Sequence, residues 1–155
     1  MHVVYPGSFD PPTLGHLSIV SRAVSLCDKV TVMVGVNPLK KPWLSAEVRV
    51  KLIQECFKDE PKVEVICESG LVADAVRKLG ANAIIKGIRS ETDLRSEQVM
   101  AEANSTLGHG LETLFLMSKG ELQGVSSSLV RQIDQLGGDV SPFVPPCVYE
   151  WLKQK

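Results

Sequence analysis

The chain has 155 residues, 44% hydrophobic and 23% charged, and 17 Lys and Arg against 18 Asp and Glu leave a net charge of −1. That length allows one core and not comfortably two, so a single domain over residues 1–155 is predicted, and the even charge excludes a general nucleic-acid or anionic-membrane binder, which needs a basic surplus. No apolar run approaches the ~18 residues that span a bilayer, and Met1-His2-Val3 lacks the basic start of a signal peptide, so a cytoplasmic protein with no membrane or nucleic-acid partner is expected.

His2 to Tyr5 reads as a strand, and Leu17 to Cys27 repeats apolar residues at helical spacing. Between them stands Tyr5-Pro6-Gly7-Ser8-Phe9-Asp10-Pro11-Pro12-Thr13-Leu14-Gly15-His16. Pro11 and Pro12 stop any regular element, and Thr13 is a good N-cap that places Leu14, Gly15 and His16 in the first helical turn. A helix start offers free backbone N–H groups and the positive end of the helix dipole, which suits an anion. Thr13 and His16 would project from the same side of that turn, and Gly7 and Gly15 leave room for a ligand against the main chain. An ordinary strand-turn-helix corner with a polar His16 fits the same spacing.

Lys29 to Val36 is a near-continuous apolar strand of the kind buried on both faces of a parallel sheet. Strand, helix and strand make a right-handed βαβ unit, and ligands of such folds bind beyond the carboxyl ends of the strands. Asn37-Pro38-Leu39-Lys40-Lys41-Pro42 emerges at that edge, either as a solvated loop or as a source of cations for an anion site. Ser45 caps a helix running through Arg49 to Phe57, with Val48, Leu52, Ile53 and Cys56 facing inward.

Val63 to Ile66 is the third strand, Leu71 to Leu79 a helix ended by Gly80, and Ala81 to Ile85 the fourth strand. It delivers Lys86-Gly87-Ile88-Arg89 to the same edge, two cations that are either surface charge or grips for a triphosphate. Thr92 to Leu107 is the longest helix, with Ser96, Met100, Ala103 and Leu107 along one face; Glu97 on it reads physically as an exposed carboxylate. His109 ends it as a solvent-facing cap residue. Glu112 to Met117 is the fifth strand, Gly120 and Gly124 bracket a mobile loop, and one serine of Ser126-Ser127-Ser128 caps a helix carrying Leu129, Val130 and Ile133. That second helix start would make a second phosphate cradle facing the first. A short helix runs from Cys147 to Lys153. Cys27, Cys56, Cys67 and Cys147 form no Cys-x-x-Cys pair and are read as reduced, mostly buried thiols.

The predicted fold is therefore an α/β, doubly wound, Rossmann-like domain with a five-stranded parallel sheet flanked by helices. Two helix starts with Lys40, Lys86 and Arg89 converge on one edge, and a polyphosphate is their natural occupant. No Gly-x-x-x-x-Gly-Lys-Ser/Thr occurs and the first turn lacks the dinucleotide glycine triplet, which excludes a P-loop ATPase and a classical dehydrogenase. No Ser-His-Asp set, general base or metal cluster stands out. A phosphate monoester nucleophile, whose second pKa is about 6, is already anionic at neutral pH. Its attack on ATP needs only alignment and charge neutralisation, and Mg²⁺ would be held more by ATP than by protein groups.

Thr13-x-Gly15-His16 after Pro6-Gly7-Ser8-Phe9-Asp10-Pro11 resembles the signature of the HxGH nucleotidylyltransferases, in the threonine-led form of the phosphopantetheine adenylyltransferase family. The likeness covers almost the whole chain. It includes Glu97-x-x-x-Ala101-x-x-Asn104, Ser126-Ser127-Ser128-Leu129-Val130 with Arg131, and Gly138-Asp139-Val140-Ser141-Pro142-Phe143-Val144-Pro145. The resemblance implies AMP transfer from ATP to 4′-phosphopantetheine, giving dephospho-coenzyme A and pyrophosphate, in a homohexamer using Mg²⁺. It implies catalytic roles for His16, which would stabilise the pentacoordinate α-phosphate, for Lys40 beside it and for Arg89. ATP would be bound by Gly7, Ser8, Phe9, His16, Lys86, Gly87, Arg89, Glu97, Val125, Ser126, Ser127 and Ser128. The acceptor would be bound by Ser8, Lys40, Leu71, Val72 and Lys86, and no residue is expected to form a metal site. The chain departs from the family at Ser8, usually threonine; at Lys86, commonly arginine; and at Leu94, Ser96, Leu122 and Gly124, where aromatics are frequent. A nicotinamide mononucleotide adenylyltransferase or a cytidylyltransferase would share the fold but more often shows His-x-Gly-His and Arg-x-x-x-Ile-Ser-x-Thr, neither of which occurs here. A non-catalytic nucleotide or coenzyme A sensor is the remaining alternative.

Overall fold

Apolar β-branched runs flanked by amphipathic helices give alternating strands and helices in the computed structural model, which describes residues 1–39 and 41–155. In chain order these are β1 (His2–Gly7), α1 (Leu14–Leu26), β2 (Lys29–Gly35), α2 (Ala46–Cys56), β3 (Val63–Glu68), α3 (Val72–Lys78), β4 (Ala83–Ile88), α4 (Glu91–Leu107) and β5 (Glu112–Met117). A 3-10 turn (Gly120–Gly124), α5 (Ser127–Gln135) and α6 (Pro146–Lys153) follow. All strand pairs are parallel, in the order β3-β2-β1-β4-β5. The chain thus winds outward from β1 to β3 and returns across the sheet to β4, so the switch point of this doubly wound sheet lies between β1 and β4.

That switch point is also where the sheet splits. β1 matches β2 over its whole length, from His2 opposite Lys29 to Gly7 opposite Val34, but meets β4 only at Val3 opposite Ala83 and Val4 opposite Ile84. Beyond Val4 the two strands part, and Pro6, which has no N–H to donate, lies in the separated half. The gap opens at the carboxyl edge.

Alternation along the strands divides the core. Val3, Tyr5, Val30, Val32, Val34, Ala83 and Ile85 pack with Ile19, Val20 and Ala23 of α1 and Ile53 of α2. Val4, Met33 and Ile84 face the other way, onto Ala73, Ala75 and Val76 of α3. A third cluster joins Leu44 and Leu52 to Val130 of α5 and Val148 and Leu152 of α6.

Several expectations change. β4 continues to Ile88, so Lys86 and Gly87 lie within the strand, opposite Phe115 and Leu116 of β5, rather than after it. Ser96, Met100, Ala103 and Leu107 of α4 face outward; its one fully buried residue is Asn104, with Leu94, Glu97 and Ala101 half-buried on the same side. Helical spacing of apolar residues marks a stripe, but what covers it is set by neighbours. On α2 the inward residue is Arg49, beside Leu52 and Ile53, while Val48 is half-buried. The segment expected as a mobile loop forms the 3-10 turn, which packs on α1. Cys27 is buried, Cys56 and Cys147 are half-buried with their sulfurs 3.1 Å apart, and Cys67 is exposed. Among the described residues no helix is long and apolar enough to cross a membrane.

Candidate active site

A cavity of about 1060 Å³ occupies the split edge. Gly7, Ser8 and His16 line it from the β1–α1 corner, Lys86, Gly87, Arg89 and Glu97 from β4 and α4, and Val125, Ser126, Ser127 and Ser128 from the start of α5. Phe9 lies beneath the floor, 1% exposed, and does not line it. Leu71 and Val72, at the start of α3, also lie outside this lining. Lys40 falls outside the described residues, while its neighbours Pro38, Lys41 and Pro42 border the cavity.

The corner is built to hold His16. Thr13 is the N-cap of α1, with its hydroxyl accepting from the His16 N–H at 3.4 Å, and the Thr13 N–H donates to His16 Nδ1 at 3.1 Å. Because a backbone N–H can only donate, Nδ1 carries no proton, and the neutral ring must bear its hydrogen on Nε2. Burial, and then the charges of Arg89 and Lys86, push the His16 pKa down to about 4, so the ring is uncharged at neutral pH. His16 therefore presents a fixed neutral N–H donor.

Beneath it, Phe9 meets His16 edge-on at 4.9 Å between ring centres, and Tyr5 meets Phe9 edge-on at 5.3 Å. Phe9 adopts φ +49, a left-handed backbone that costs a bulky residue roughly 1–3 kcal/mol. A Cβ on Gly7 would come within 3.0 Å of the Phe9 ring, so glycine is what lets that ring tuck under the turn.

The two helix starts differ in what they leave free. On α1 the Leu14 N–H donates to Phe143 O at 2.9 Å and the His16 N–H is taken by Thr13, so of the three only the Gly15 N–H has no protein partner among the described residues. On α5 Ser126 is the capping serine, accepting from the Leu129 N–H at 3.1 Å, and the N–H groups of Ser127 and Ser128 have no partner among the described residues. Ser127 Oγ donates to Pro11 O at 2.8 Å, which ties the second helix start to the first loop.

The expected phosphate grips are paired. Arg89 donates to Asp93 through Nε at 2.8 Å and Nη2 at 3.2 Å, holding that carboxyl below its ordinary range. Lys86 Nζ lies 3.2 Å from both oxygens of Glu97 but donates only to Oε1, leaving the buried Oε2 without a hydrogen.

Three charged residues of the site were given no role by the sequence reading, although Asp10 and Arg131 stand in the motifs that carry the resemblance. Asp10, 7% exposed, accepts from the Trp43 and Leu44 N–H groups at 2.7 and 2.8 Å, binding the loop after β2 to the first signature. Arg131 donates to Asp10 O and to Ser128 Oγ. Arg49, 3% exposed, donates through Nη1 to Ser8 O at 2.7 Å. Arg49, outside those motifs, left a sign of another kind: it shares the inner-face spacing of Leu52, Ile53 and Cys56.

A doubly wound sheet whose switch-point cavity is lined by cations, open N–H groups and a neutral histidine donor defines the nucleotidyltransferase class. The family described as cytidylyltransferase-like matches residues 4–133. The phosphopantetheine adenylyltransferase of Caldanaerobacter subterraneus is 45% identical over 152 residues, covering 98% of this chain and 95% of that one. Its counterpart in Flavobacterium psychrophilum is 43% identical over 145 residues, covering 94% and 95%. That of Brucella ovis is 43% identical over 157 residues, covering 98% and 96%. A solved structure assigned as a nicotinate-nucleotide adenylyltransferase from Vibrio parahaemolyticus superposes with a TM-score of 0.72 over 98% of this chain and 97% of that one, at 18% identity, a likeness of fold. The chain belongs to the cytidylyltransferase-like family and, within it, to the phosphopantetheine adenylyltransferases.

Proposed function

We propose that this chain transfers AMP from ATP to 4′-phosphopantetheine, forming dephospho-coenzyme A and pyrophosphate. The observation that carries this reading is the locked His16: a neutral Nε2–H donor, fixed from behind by the Thr13 N–H, in a cavity lined by Lys86, Arg89 and Arg49 where, among the described residues, no carboxylate bonds to the imidazole. A donor of this kind suits an acceptor that needs no base, and a phosphate monoester oxygen already carries the charge needed for attack. That oxygen bonds to the α-phosphorus as the bond to the pyrophosphate bridging oxygen breaks. His16 Nε2–H donates to a non-bridging α-oxygen, where charge builds in the transition state.

The remaining roles follow from position. The open Gly15, Ser127 and Ser128 N–H groups bind phosphate oxygens. Lys86 and Arg89 take up the outer phosphates, exchanging part of their bonding to Glu97 and Asp93. Glu97 Oε2, which lacks a donor, suits a sugar hydroxyl. Ser8, exposed and bordering the cavity, meets the acceptor's phosphate, and Lys40 is assigned to the same substrate by family resemblance. Mg²⁺ enters as part of the substrate, bound by the phosphates of ATP.

We extend the proposal to assembly and location. Val99, Met100 and Leu107 on α4 and Leu114 and Met117 on the edge strand β5 are exposed apolar side chains, which supports association of copies, a homohexamer by family resemblance. ATP and a coenzyme A precursor as substrates support a cytoplasmic site.

Incubating the purified protein with Mg-ATP and, in parallel, 4′-phosphopantetheine, nicotinamide mononucleotide or a sugar phosphate, with products identified by mass, tests the reading. Dephospho-coenzyme A and pyrophosphate are expected from the first alone. Pyrophosphate released only with nicotinamide mononucleotide would overturn it, and binding without product would favour a sensor.

A further inference from the structure

Arg49 is the most deeply buried cation of the cavity, 3% exposed, yet among the described residues no carboxylate lies within 4.0 Å of it. Its guanidinium ends on main-chain carbonyls instead. Nη1 donates to Ser8 O at 2.7 Å and to Gly35 O at 3.2 Å, and Nε to Ser45 O at 3.4 Å. Ser8 follows β1, Gly35 closes β2 and Ser45 caps α2, so one planar group joins three chain segments under one wall of the cavity.

Carbonyl dipoles satisfy the N–H donors but do not neutralise the charge. A buried ion without a counter-ion costs several kcal/mol, and a fold that needed only a brace could have used a neutral amide. A retained positive charge lining a cavity is what an anionic occupant would complete. The three carbonyl bonds also hold the guanidinium in place, and Nη1 engages Ser8 O, a carbonyl that would otherwise repel phosphate. Ser8 Oγ has no protein partner among the described residues.

Position decides which substrate is affected. Arg49 braces the β1–β2 side of the split, whereas Lys86, Arg89 and Glu97 belong to β4 and α4 on the opposite side. We propose that Arg49 is a positioning residue for the acceptor: it pins the Ser8 turn to the end of β2 and supplies fixed positive charge beneath the acceptor's phosphate monoester, with little influence on ATP. This rests on the reading that Ser8 meets that phosphate.

The test is steady-state kinetics of wild type, Arg49→Gln and Arg49→Lys, with each substrate varied in turn. Inorganic phosphate serves as a competitive probe of the acceptor subsite, and circular dichroism checks folding. Product formation by the wild type with 4′-phosphopantetheine examines the underlying reading by itself; an inactive wild type sinks both. With an active wild type, Arg49→Gln keeps a donor but loses the charge. The expected result is an acceptor KM and an inhibition constant for inorganic phosphate raised together, roughly 10- to 100-fold as for a lost charge-assisted contact, with the KM for ATP within about twofold. Arg49→Lys restores charge without the fork and should recover part of the acceptor KM. A purely structural brace would lower thermal stability while leaving the acceptor KM unchanged, or raise both KM values alike; either result overturns the proposal. Should Arg49→Gln fail to fold, the Lys variant decides: an acceptor KM raised several-fold at unchanged ATP KM supports the proposal, and unchanged values for both substrates overturn it.

Discussion

The two walls of the cavity hold their positive charge in opposite ways. On the β4–α4 wall Lys86 and Arg89 reach carboxylates of Glu97 and Asp93, and Arg89 remains 39% exposed. On the β1–β2 wall Arg49 is 3% exposed and, among the described residues, is held by carbonyls alone. A cation paired to a carboxylate at a wet surface gains little from the pair and can trade part of it for a ligand oxygen. One fixed beneath a turn by three carbonyls cannot turn towards a ligand and acts as a standing field. Adaptable grips suit a long triphosphate tail whose outer part leaves as pyrophosphate, and a rigid seat suits the acceptor, whose oxygen must be aligned for attack.

His16 stands where the walls meet, and in the proposed reaction it would serve both substrates. His16→Ala should lower turnover by roughly 10²–10³, as for loss of one transition-state donor, with both KM values little altered and the fold intact by circular dichroism. Near-normal turnover would remove His16 from the chemistry. The mirror image of the Arg49 experiment is Arg89→Met, which should raise the KM for ATP roughly 10- to 100-fold and spare the acceptor. An equal rise for both substrates would abolish the distinction between the walls.

Gly87 tests whether the split is held by packing. A Cβ there would approach Ile19 Cγ1 to 2.8 Å, and Ile19 is buried in α1, the helix that carries His16. Gly87→Ala should therefore cost about 1–3 kcal/mol of stability as overpacking, seen as a lowered urea midpoint; an unchanged midpoint would mean that α1 yields freely.

The smallest effect concerns acid. His16 titrates near 6.5 unfolded and at about 4 folded, so between those values the unfolded chain binds more protons and stability rises with pH. Its contribution is complete above pH 6.5 and is lost as pH falls towards 4. The urea midpoint of wild type should therefore drop more between pH 7 and pH 5 than that of His16→Gln, and equal drops would show the imidazole to be freely solvated. No inflection in turnover from His16 is expected above pH 6.

The parts of this site that were legible in advance were those set by near neighbours in the chain. Thr13 and Ser126 cap their helices through N–H groups three residues on, Gly80 turns the chain after α3 with φ +61, and the apolar runs of β1 and β2 could be nothing but buried strands. Arg49 was passed over in favour of Val48 because spacing arguments assign charge to the outside, whereas its partners, Ser8 O and Gly35 O, lie 41 and 14 positions away. The same limit left open which way the Ser96–Leu107 stripe of α4 faces, and its Met100 and Leu107 are exposed.

From residue order alone came the alternation of strands and helices, the two capped helix starts and the gathering of Lys86, Arg89 and those helix starts at one sheet edge, since each depends on contacts within a turn or on the period of apolar side chains. Folding in three dimensions alone decided which N–H groups stay open, how deeply His16 is buried and that Arg49 ends on carbonyls of distant segments. Those outcomes depend on hydrogen-bond partners brought together from distant segments, such as Phe143 at Leu14 and Arg131 at Asp10, and no local pattern announces them.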